Sequence, residues 1–175
     1  MKDYKILFSD LDGTLIETVS KNTFAEDVTD FRIRKAVLDK IRTMEGLRFL
    51  FIVTNQGGIP EHVSKEDFEA KLNGISAFIH AYINAHVVDE DDVWVGYAYC
   101  PSMDKSNPMR KPNTGMLESF MSDELRYAAS WLKDKNNMLM IGDASGKAGQ
   151  FSDSDKKCAE NFGIDYLDVE DFLNA

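Results

Sequence analysis

Two carboxylates stand two positions apart at the end of a hydrophobic run, in a placement that suits catalysis. Asp10 and Asp12 follow the run 4–8, and Asp12 directly precedes Gly13. A buried strand that ends in such a turn brings both acids to the carboxyl edge of a sheet, where open α/β folds bind ligands. One acid can attack phosphorus while its neighbour moves a proton, provided that a divalent cation suppresses their repulsion. The alternative is a solvated Asp-rich turn, and three later segments favour the chemical interpretation.

Donor groups suited to phosphate occur in two of these segments. The residues from Thr54 to Ile59 come directly after the apolar run 47–53 and supply a hydroxyl, an amide and paired glycines, which can present several donors to a phosphate. Lys111 next to Pro112 puts a cation beside the start of a helix, and both features favour an anion. Taken alone, each segment also fits an ordinary polar turn.

A further carboxylate follows another apolar run. Asp143 comes directly after residues 138–142 and can complete an all-oxygen magnesium site with the first pair of acids. Asp153 and Asp155 follow within the next segment, and Asp153 stands where it can cap the next helix. The acids that could bind magnesium therefore come from two separate strand ends.

Hydrophobic periodicity predicts strands that alternate with helices. The predicted strands are residues 4–9, 47–53, 92–97, 138–142 and 165–167. The predicted helices are residues 30–44, 64–84, 113–121, 123–134 and 153–162. Such alternation implies one α/β layer structure with a mostly parallel sheet of five strands and right-handed crossovers.

Length and composition are those of a globular domain. The 175 residues are 43% hydrophobic and 29% charged, which predicts a single domain over residues 1–175. No apolar run approaches the length of a membrane span and the start lacks the core of a signal peptide, so we expect no membrane partner. Two distant cysteines, Cys100 and Cys158, suit the reducing cytoplasm.

The formal charge of −10 is unevenly distributed. Residues 86–92 hold four acids and residues 158–175 hold five, with no Lys or Arg in either segment. Residues 21–48 carry seven bases against five acids. Because the local field decides which partners approach, the net charge does not exclude a nucleic-acid end as the substrate.

The order of the motifs resembles that of the haloacid dehalogenase (HAD) phosphatase superfamily. The shared pattern is Asp-x-Asp-Gly-Thr, a Thr after a strand, Lys-Pro, and Gly-Asp after a strand. The resemblance implies a three-layer, Rossmann-like fold. It also implies that Asp10 is the nucleophile that becomes an aspartyl-phosphate, and that Asp12 is first the general acid and then the base that activates water.

The same resemblance assigns the remaining site residues. It implies that the phosphoryl oxygens are bound by Thr54, Lys111 and the backbone amides of Leu11 and Asn55, with Thr14 orienting the loop beside them. It implies that Mg²⁺ is the cofactor, with Asp10, the Asp12 carbonyl and Asp143 as ligands and Asp153 or Asp155 in support.

The spacing between motifs predicts an open site. Between Thr14 and Thr54 there are 39 residues, and between Ile59 and Lys111 there are 51, which a long helix, a strand and a loop already occupy. Neither stretch is long enough for a large cap domain. The lack of such a domain is typical of subclass III of the superfamily. An open site suits a large substrate whose own bulk excludes water, and it also fits small phosphates.

Within the superfamily, the chain resembles the polynucleotide 3′-phosphatase branch, which includes the phosphatase half of polynucleotide kinase/phosphatases. The matching stretches are Asp10 to Ile16, Ser20, Phe24, Asp30 to Arg32, Thr54 to Ile59, Arg110 to Pro112, Gly115-Met116, Gly142 to Lys147, Phe151 to Asp155, Ala159, Asn161, Gly163-Ile164 and Glu170 to Phe172. The departures are Lys21-Asn22, Ala25 and Phe31, where the family usually has Gly-Lys, Pro and Trp, and Lys147, where an Arg is usual.

This branch implies a nucleic-acid 3′ end as the partner and a role in DNA repair. Four bases lie on the turn and the helix start after the Asp10 loop, where we expect them to flank the substrate entrance: Lys21, Arg32, Arg34 and Lys35.

Two alternatives remain open. Histidinol-phosphate and heptose-bisphosphate phosphatases share the Thr-Asn-Gln-Gly-Gly-Ile and Arg-Lys-Pro patterns, so a small-molecule substrate is the first alternative. These enzymes commonly carry a Cys/His zinc loop before Arg-Lys-Pro, whereas residues 99–109 hold one thiol and no His, so we expect no structural zinc. The second alternative is a phosphate-binding module without turnover.

Overall fold

The computed structural model describes residues 2–22, 25–85 and 92–175. In these ranges, strands β1 to β7 are Ile6–Ser9, Ile16–Glu17, Arg32–Ile33, Phe49–Asn55, Trp94–Cys100, Met138–Gly142 and Asp165–Asp168. Helices α1 to α5 are Lys35–Arg42, Lys65–Ile83, Gly115–Asp123, Ser154–Phe162 and Val169–Asn174. Phe24 and residues 86–91 of the first acidic segment lie outside the described residues.

Five strands form a parallel sheet in the order β5-β4-β1-β6-β7, which confirms the predicted α/β class. The chain leaves β1 for β4 and β5 on one side, and it later returns to β6 and β7 on the other. The two neighbours of β1 are therefore β4 and β6, and the chain connections that lead to them run to opposite sides of β1. Loops that leave such a switch point diverge and open a crevice at the carboxyl ends of the strands.

Alternating side chains along the central strands separate the core into two layers. Leu7, Leu50 and Leu139 belong to the cluster on the side of α1, α2 and α5. Phe8 and Met140 belong to the cluster on the side of α3 and α4. Successive side chains of a strand point to opposite faces, and a sheet covered on both faces is apolar along its whole length. The predicted three-layer arrangement is confirmed.

The longest helix begins as its sequence predicts. The Ser64 side chain accepts a hydrogen bond from the backbone N–H of Asp67 at 3.0 Å and caps α2. The buried face of α2 follows the helical period and contains Phe68, Leu72, Ile75, Ile79 and Ile83.

Two predicted helices differ from the structure. The helix expected at 30–44 begins only at Lys35, because residues 32–33 pair antiparallel with residues 16–17 as the hairpin β2–β3. The helix expected at 123–134 is wrong: after α3 the chain forms two short 3₁₀ turns, Ser130–Lys133 and Lys135–Asn137. Leu125 is buried there, but Tyr127 and Trp131 are exposed, so no continuous apolar stripe holds a helix against the sheet.

The last helix has no counterpart among the predicted elements. The Asp168 side chain accepts a hydrogen bond from the backbone N–H of Glu170 and begins α5 directly after β7. Phe172 of this helix is fully buried and packs into the first core layer.

No large cap domain interrupts the described parts of the chain. Between Thr14 and Thr54, the described residues form the small hairpin β2–β3 and helix α1. Between Ile59 and Lys111 they form α2, β5 and a loop. Among the described residues, no helix combines the length and apolar character that a membrane crossing requires.

Two glycines give opposite expectations for thermal stability. A Cβ on Gly142 would lie 2.2 Å from the buried Asp155 Oδ2, so Gly142→Ala should destabilise the fold by about 1–3 kcal/mol. A Cβ on Gly74, in the middle of α2, would meet no atom within 4 Å, so Gly74→Ala should stabilise it by about 1 kcal/mol. In thermal unfolding, each kcal/mol moves Tm by roughly 2–4 °C. Equal shifts of the two variants would contradict this packing.

Candidate active site

The loop after β1 turns tightly and brings its acids to the centre of the sheet edge. The Asp10 N–H donates to the Ile141 carbonyl at 3.0 Å and prolongs the pairing of β1 with β6. The N–H groups of Leu15 and Ile16 both donate to the Leu11 carbonyl, at 2.9 and 3.0 Å, and close the turn. Gly13 has a left-handed φ of +81°, and a Cβ there would lie 2.0 Å from Asp143 Oδ2. Only glycine therefore lets the turn pack against that carboxylate.

A buried ammonium occupies the middle of the site. Lys111 Nζ donates to Asp10 Oδ1 at 2.6 Å and to the Val53 carbonyl at 2.7 Å, and it lies 2.8 Å from Asp155 Oδ1. The Lys111 residue is 3% exposed, so its three N–H groups rely on these protein acceptors. The ammonium thus joins the ends of β1 and β4 to α4.

The backbone at Lys111 is held as firmly as its side chain. The Asn55 side chain accepts from the Lys111 N–H at 2.9 Å and donates to the Lys111 carbonyl at 3.0 Å. Asn161 of α4 donates to the Pro112 carbonyl at 3.0 Å. Because both sides of the segment are fixed, the ammonium is presented at one place above β1.

Three carboxylates surround this single ammonium. Asp10, Asp143 and Asp155 each offer an oxygen within 4.8 Å of the others. Asp155 is 1% exposed, and its Oδ2 also accepts from the Ala144 N–H at 3.1 Å. With all three carboxylates ionised and Lys111 protonated, the cluster carries two negative charges in excess. Hard carboxylate oxygens that carry an excess negative charge match what Mg²⁺ prefers, so the residues present fit this ion.

The excess charge changes the proton affinity of the cluster. Burial raises the pKa of Asp10 well above its usual range; Lys111 opposes this effect, while Asp155 and Asp143 add to it. Burial and the neighbouring Asp155 raise the pKa of Asp143 to about 6. Burial lowers the pKa of Lys111, but the Asp10 and Asp155 carboxylates outweigh it, and the net direction is upward. The ammonium therefore stays charged while the carboxylates repel one another.

Asp12 lies outside this cluster, at the exposed side of the same loop. Its Oδ2 accepts a hydrogen bond from Gln56 Nε2 at 2.6 Å, and the same nitrogen donates to Thr54 Oγ1 at 2.9 Å. Thr14 is fully buried, and its hydroxyl lies 3.5 Å from Asp10 Oδ2. The predicted catalytic groups at the ends of β1 and β4 thus lie together.

The remaining predicted residues take different positions. The Leu11 side chain is in the core, so a phosphate contact can come only from its backbone. Asp155 joins the carboxylate cluster, whereas Asp153 stands at the N-terminal end of α4 and pairs with Lys157 at 2.6 Å. No capping hydrogen bond of the Asp153 side chain is formed.

The four predicted entrance bases are not equivalent. Lys21 and Lys35 are exposed, and Arg32 is exposed and pairs with Glu17 at 2.7 Å. The Arg34 side chain is 16% exposed; its guanidinium donates to the Gly13 carbonyl at 2.5 Å and to Glu170 at 2.6 Å. Arg34 thus binds the backbone of the Asp10 loop at Gly13 and links this loop to α5.

Two supports of the site were not predicted from the sequence. Gln56 contacts Asp12, although its place inside the Thr-Asn-Gln motif was a signal that could have identified it. Asp168 is buried and accepts from Ser145 Oγ at 2.7 Å and from Gln150 Nε2 at 2.6 Å, which anchors the loop that carries Asp143. Nothing in its local sequence distinguishes Asp168 from an ordinary helix cap.

Known proteins share this sequence pattern. The profile of the family described as polynucleotide kinase 3 phosphatase matches residues 5–173. A bifunctional polynucleotide phosphatase/kinase of Schizosaccharomyces pombe is 31% identical over 175 residues, which cover 98% of this chain and 38% of that protein. A histidine biosynthesis bifunctional protein of Legionella pneumophila is 31% identical over 168 residues, which cover 94% of this chain and 41% of that protein. The chain thus spans about two fifths of the length of these relatives.

The fold also has a solved counterpart. A crystal structure described as a HAD-like phosphatase, from Mesorhizobium loti, matches with a TM-score of 0.59 and 23% identity over 98% of this chain and 83% of that chain. The fold is therefore that of this HAD-like phosphatase structure, as the motifs predicted. Because the family profile spans nearly the whole sequence, the chain belongs to the polynucleotide kinase 3 phosphatase family.

The crowded carboxylates lead to a prediction about Asp143→Asn. Because the pKa of Asp143 is raised from 3.8 to about 6, its contribution to stability falls as the pH rises through this range, and at pH 7.5 its charge disfavours the fold. In chelator, Asp143→Asn should therefore raise Tm by a few degrees, roughly the effect of 1 kcal/mol. Added Mg²⁺ should raise Tm of the wild type and have little effect on the variant.

Asp153→Asn is the matched control for that experiment. The Lys157 hydrogen bond lowers the pKa of Asp153, so removal of this charge should not stabilise the fold. A lower Tm for Asp143→Asn in chelator than for the wild type would show that the cluster is not electrostatically strained.

Proposed function

We propose that this protein is a Mg²⁺-dependent phosphomonoesterase that acts through an aspartyl-phosphate and removes a 3′-phosphate from polynucleotide ends. The observation that carries the proposal is the 2.6 Å contact between Lys111 Nζ and Asp10 Oδ1, buried beside two further carboxylates. A nucleophile that is partly neutralised can approach an anionic phosphate, which a bare carboxylate would repel.

The proposed reaction has two balanced steps. An oxygen of Asp10 forms a bond to phosphorus as the bond from phosphorus to the substrate oxygen breaks, and Asp12 gives its proton to that oxygen to release an alcohol. Asp12 then takes a proton from a water molecule as the water oxygen bonds to phosphorus. The bond between the Asp10 oxygen and phosphorus breaks, the Asp10 carboxylate is restored and inorganic phosphate leaves.

The phosphoryl oxygens are held by groups around Asp10: Thr54, Lys111 and the backbone amides of Leu11 and Asn55, with Thr14 supporting the loop. The N–H groups of the Lys111 ammonium already have protein acceptors in the structure. When Asp10 becomes an acyl phosphate, its carboxylate loses its charge, and the ammonium can transfer a hydrogen bond to a phosphoryl oxygen. Asp155 keeps Lys111 in place through this exchange.

In this proposal Mg²⁺ is held by Asp10, Asp143 and the backbone carbonyl of Asp12. When bound, the ion supplies positive charge that offsets the repulsion between the carboxylates and the phosphate. In this proposal Asp155 supports these metal ligands, whereas Asp153 pairs with Lys157 and lies apart from them.

Family membership and an open site support a polynucleotide as the substrate. The related S. pombe protein is a polynucleotide phosphatase/kinase, and between Thr14 and Thr54 the described residues add only the small hairpin β2–β3 to the sheet and its covering helix α1. Lys21, Arg32 and Lys35 are exposed cations that can contact the backbone of a nucleic acid. Residues 1–175 would form one phosphatase domain with a role in DNA repair, in a reducing compartment such as the cytoplasm, where the free Cys100 and Cys158 persist.

A small phosphate ester is the second candidate substrate. This candidate is favoured by the similarity to the histidine biosynthesis protein of L. pneumophila. The sequence identity to that protein is the same as the identity to the S. pombe polynucleotide phosphatase/kinase. Both candidates use the same inner site, so a comparison of substrates distinguishes them.

A phosphate-release panel tests the proposal. The substrates are a 3′-phosphorylated oligonucleotide, its 5′-phosphorylated twin, histidinol phosphate and a sugar bisphosphate, each with Mg²⁺ or with excess chelator. We expect the highest kcat/KM on the 3′-phosphate, no turnover in chelator, and an Asp10→Asn activity below about 1% of wild type. Preference for histidinol phosphate would favour the second candidate, and full activity of Asp10→Asn would refute the covalent mechanism.

The entrance bases predict a difference in salt dependence. With an oligonucleotide, log kcat/KM should fall with log salt by roughly 0.7–0.9 for each phosphate contact, and it should be nearly flat for an aryl phosphate. Arg32→Ala with Lys35→Ala should flatten the oligonucleotide slope and leave aryl phosphatase activity unchanged. Arg34→Ala should lower both activities alike, because it releases the Gly13 carbonyl. Equal losses of oligonucleotide and aryl phosphatase activity in the Arg32/Lys35 variant would show that these two bases do not bind nucleic acid.

A further inference from the structure

Gln56 connects the two halves of the site through one nitrogen. Its Nε2 donates to Asp12 Oδ2 at 2.6 Å and to Thr54 Oγ1 at 2.9 Å. The backbone N–H of Gln56 donates to the Cys100 carbonyl at 2.8 Å and extends the pairing of β4 with β5. The glutamine is therefore fixed by the sheet, whereas Asp12 lies on an exposed loop.

We propose that Gln56 is a positioning residue that holds Asp12 where the leaving oxygen emerges and determines which Asp12 oxygen carries the proton. This inference rests on the proposed function, in which Asp12 is the general acid. A glutamine amide has two N–H donors on its nitrogen, and both have acceptors here. An ionised carboxylate can only accept, so its partner in this contact must be the NH₂ group.

The contact has a consequence for the protonated state of Asp12. Because Oδ2 already accepts from Gln56, the proton resides on Oδ1, which leaves that O–H as the donor to the substrate. As the bond between Asp10 and phosphorus forms, the electron pair of the breaking bond goes to the leaving oxygen. That oxygen takes the proton from Asp12 Oδ1, and Asp12 becomes a carboxylate that Gln56 still binds.

The second hydrogen bond of Gln56 acts on the phosphate side. Thr54 Oγ1 is nearly fully buried and accepts from Gln56, so its own hydrogen remains to be donated to a phosphoryl oxygen. One amide thus fixes the distance between a phosphate donor and the general acid. Thr54 is also held by the pairing of β4 with β5, so loss of the Gln56 amide should displace Asp12 and leave Thr54 in place.

Leaving-group dependence separates this role from a merely structural one. A poor leaving group such as an alkoxide needs a proton in the transition state, whereas 4-nitrophenolate leaves as a stable anion. Gln56→Met keeps the length of the side chain and removes the donor. We expect kcat/KM to fall about tenfold to a hundredfold for an alkyl phosphate and less than about threefold for 4-nitrophenyl phosphate. Retained aryl phosphatase activity also shows that the variant folds.

Gln150→Met and Asp12→Asn are the controls. Gln150 Nε2 donates to Asp168 Oδ2 at 2.6 Å and supports the Asp143 loop, so its loss should lower both activities by the same factor. Asp12→Asn should show the steepest dependence on leaving-group pKa across a series of aryl phosphates and one alkyl phosphate.

The outcomes distinguish the two proposals. Suppose that the kcat/KM of Asp12→Asn depends steeply on leaving-group pKa, whereas Gln56→Met lowers kcat/KM equally for all substrates, as Gln150→Met does. Gln56 then does not position the acid, and the proposed function stands. If Asp12→Asn itself shows no leaving-group dependence, Asp12 is not the general acid, and both this inference and the Asp12 step of the proposed reaction fail, whereas the Asp10 step is tested separately by the phosphate-release panel.

Discussion

A lysine ammonium can be buried only where each of its N–H groups has an acceptor and where negative charge replaces the lost hydration. Lys111 meets both conditions through Asp10, Asp155 and the Val53 carbonyl. These partners come from the end of β1, from α4 and from the end of β4. The order of the strands, the glycine turn after β1 and the Asn55 clamp all serve to bring them to one point. Three carboxylates around one ammonium then leave a charge excess that favours a divalent cation.

Much of this arrangement could be predicted from residues at the strand ends. The apolar runs around Leu7, Leu50 and Leu139 predicted central strands, because a parallel sheet is buried on both faces. The polar residues that follow such runs must meet at one edge of the sheet. The positions of Asp10, Thr54 and Asp143 in the sequence were therefore enough to predict that these residues share one site.

What could not be predicted depended on contacts between distant segments. Arg34 looked like a surface base, because nothing in its neighbourhood shows that Gly13 and Glu170 lie within its reach. The hairpin β2–β3 has two residues in each strand, too few for a periodic signal. Residues near Trp131 have good helix formers but no buried face, and local propensity does not report burial.

At equal identity, one relative is described as a polynucleotide phosphatase/kinase and another as a histidine biosynthesis protein. Such a division is expected when the inner site is common and the substrate is chosen by what surrounds it. In this chain the surroundings are the hairpin β2–β3 after the Asp10 loop and the loop before Lys111, where Met103 packs against Gly57. We therefore expect differences within the family in these two segments to bear on the substrate more than differences in the sheet.

The contact between Lys111 and Asp10 joins residues that are 101 positions apart in the chain. No fragment that ends before Lys111 contains both partners, and the contact requires that β4 already lies next to β1. Closing so long a segment has an entropic cost that is recovered only when the neighbouring strands pair. We therefore expect the Lys111 ammonium to reach its place late in folding. After dilution from denaturant, phosphatase activity would then return only when the strands of the sheet have paired in their final order. The helical signal in far-ultraviolet circular dichroism would return earlier.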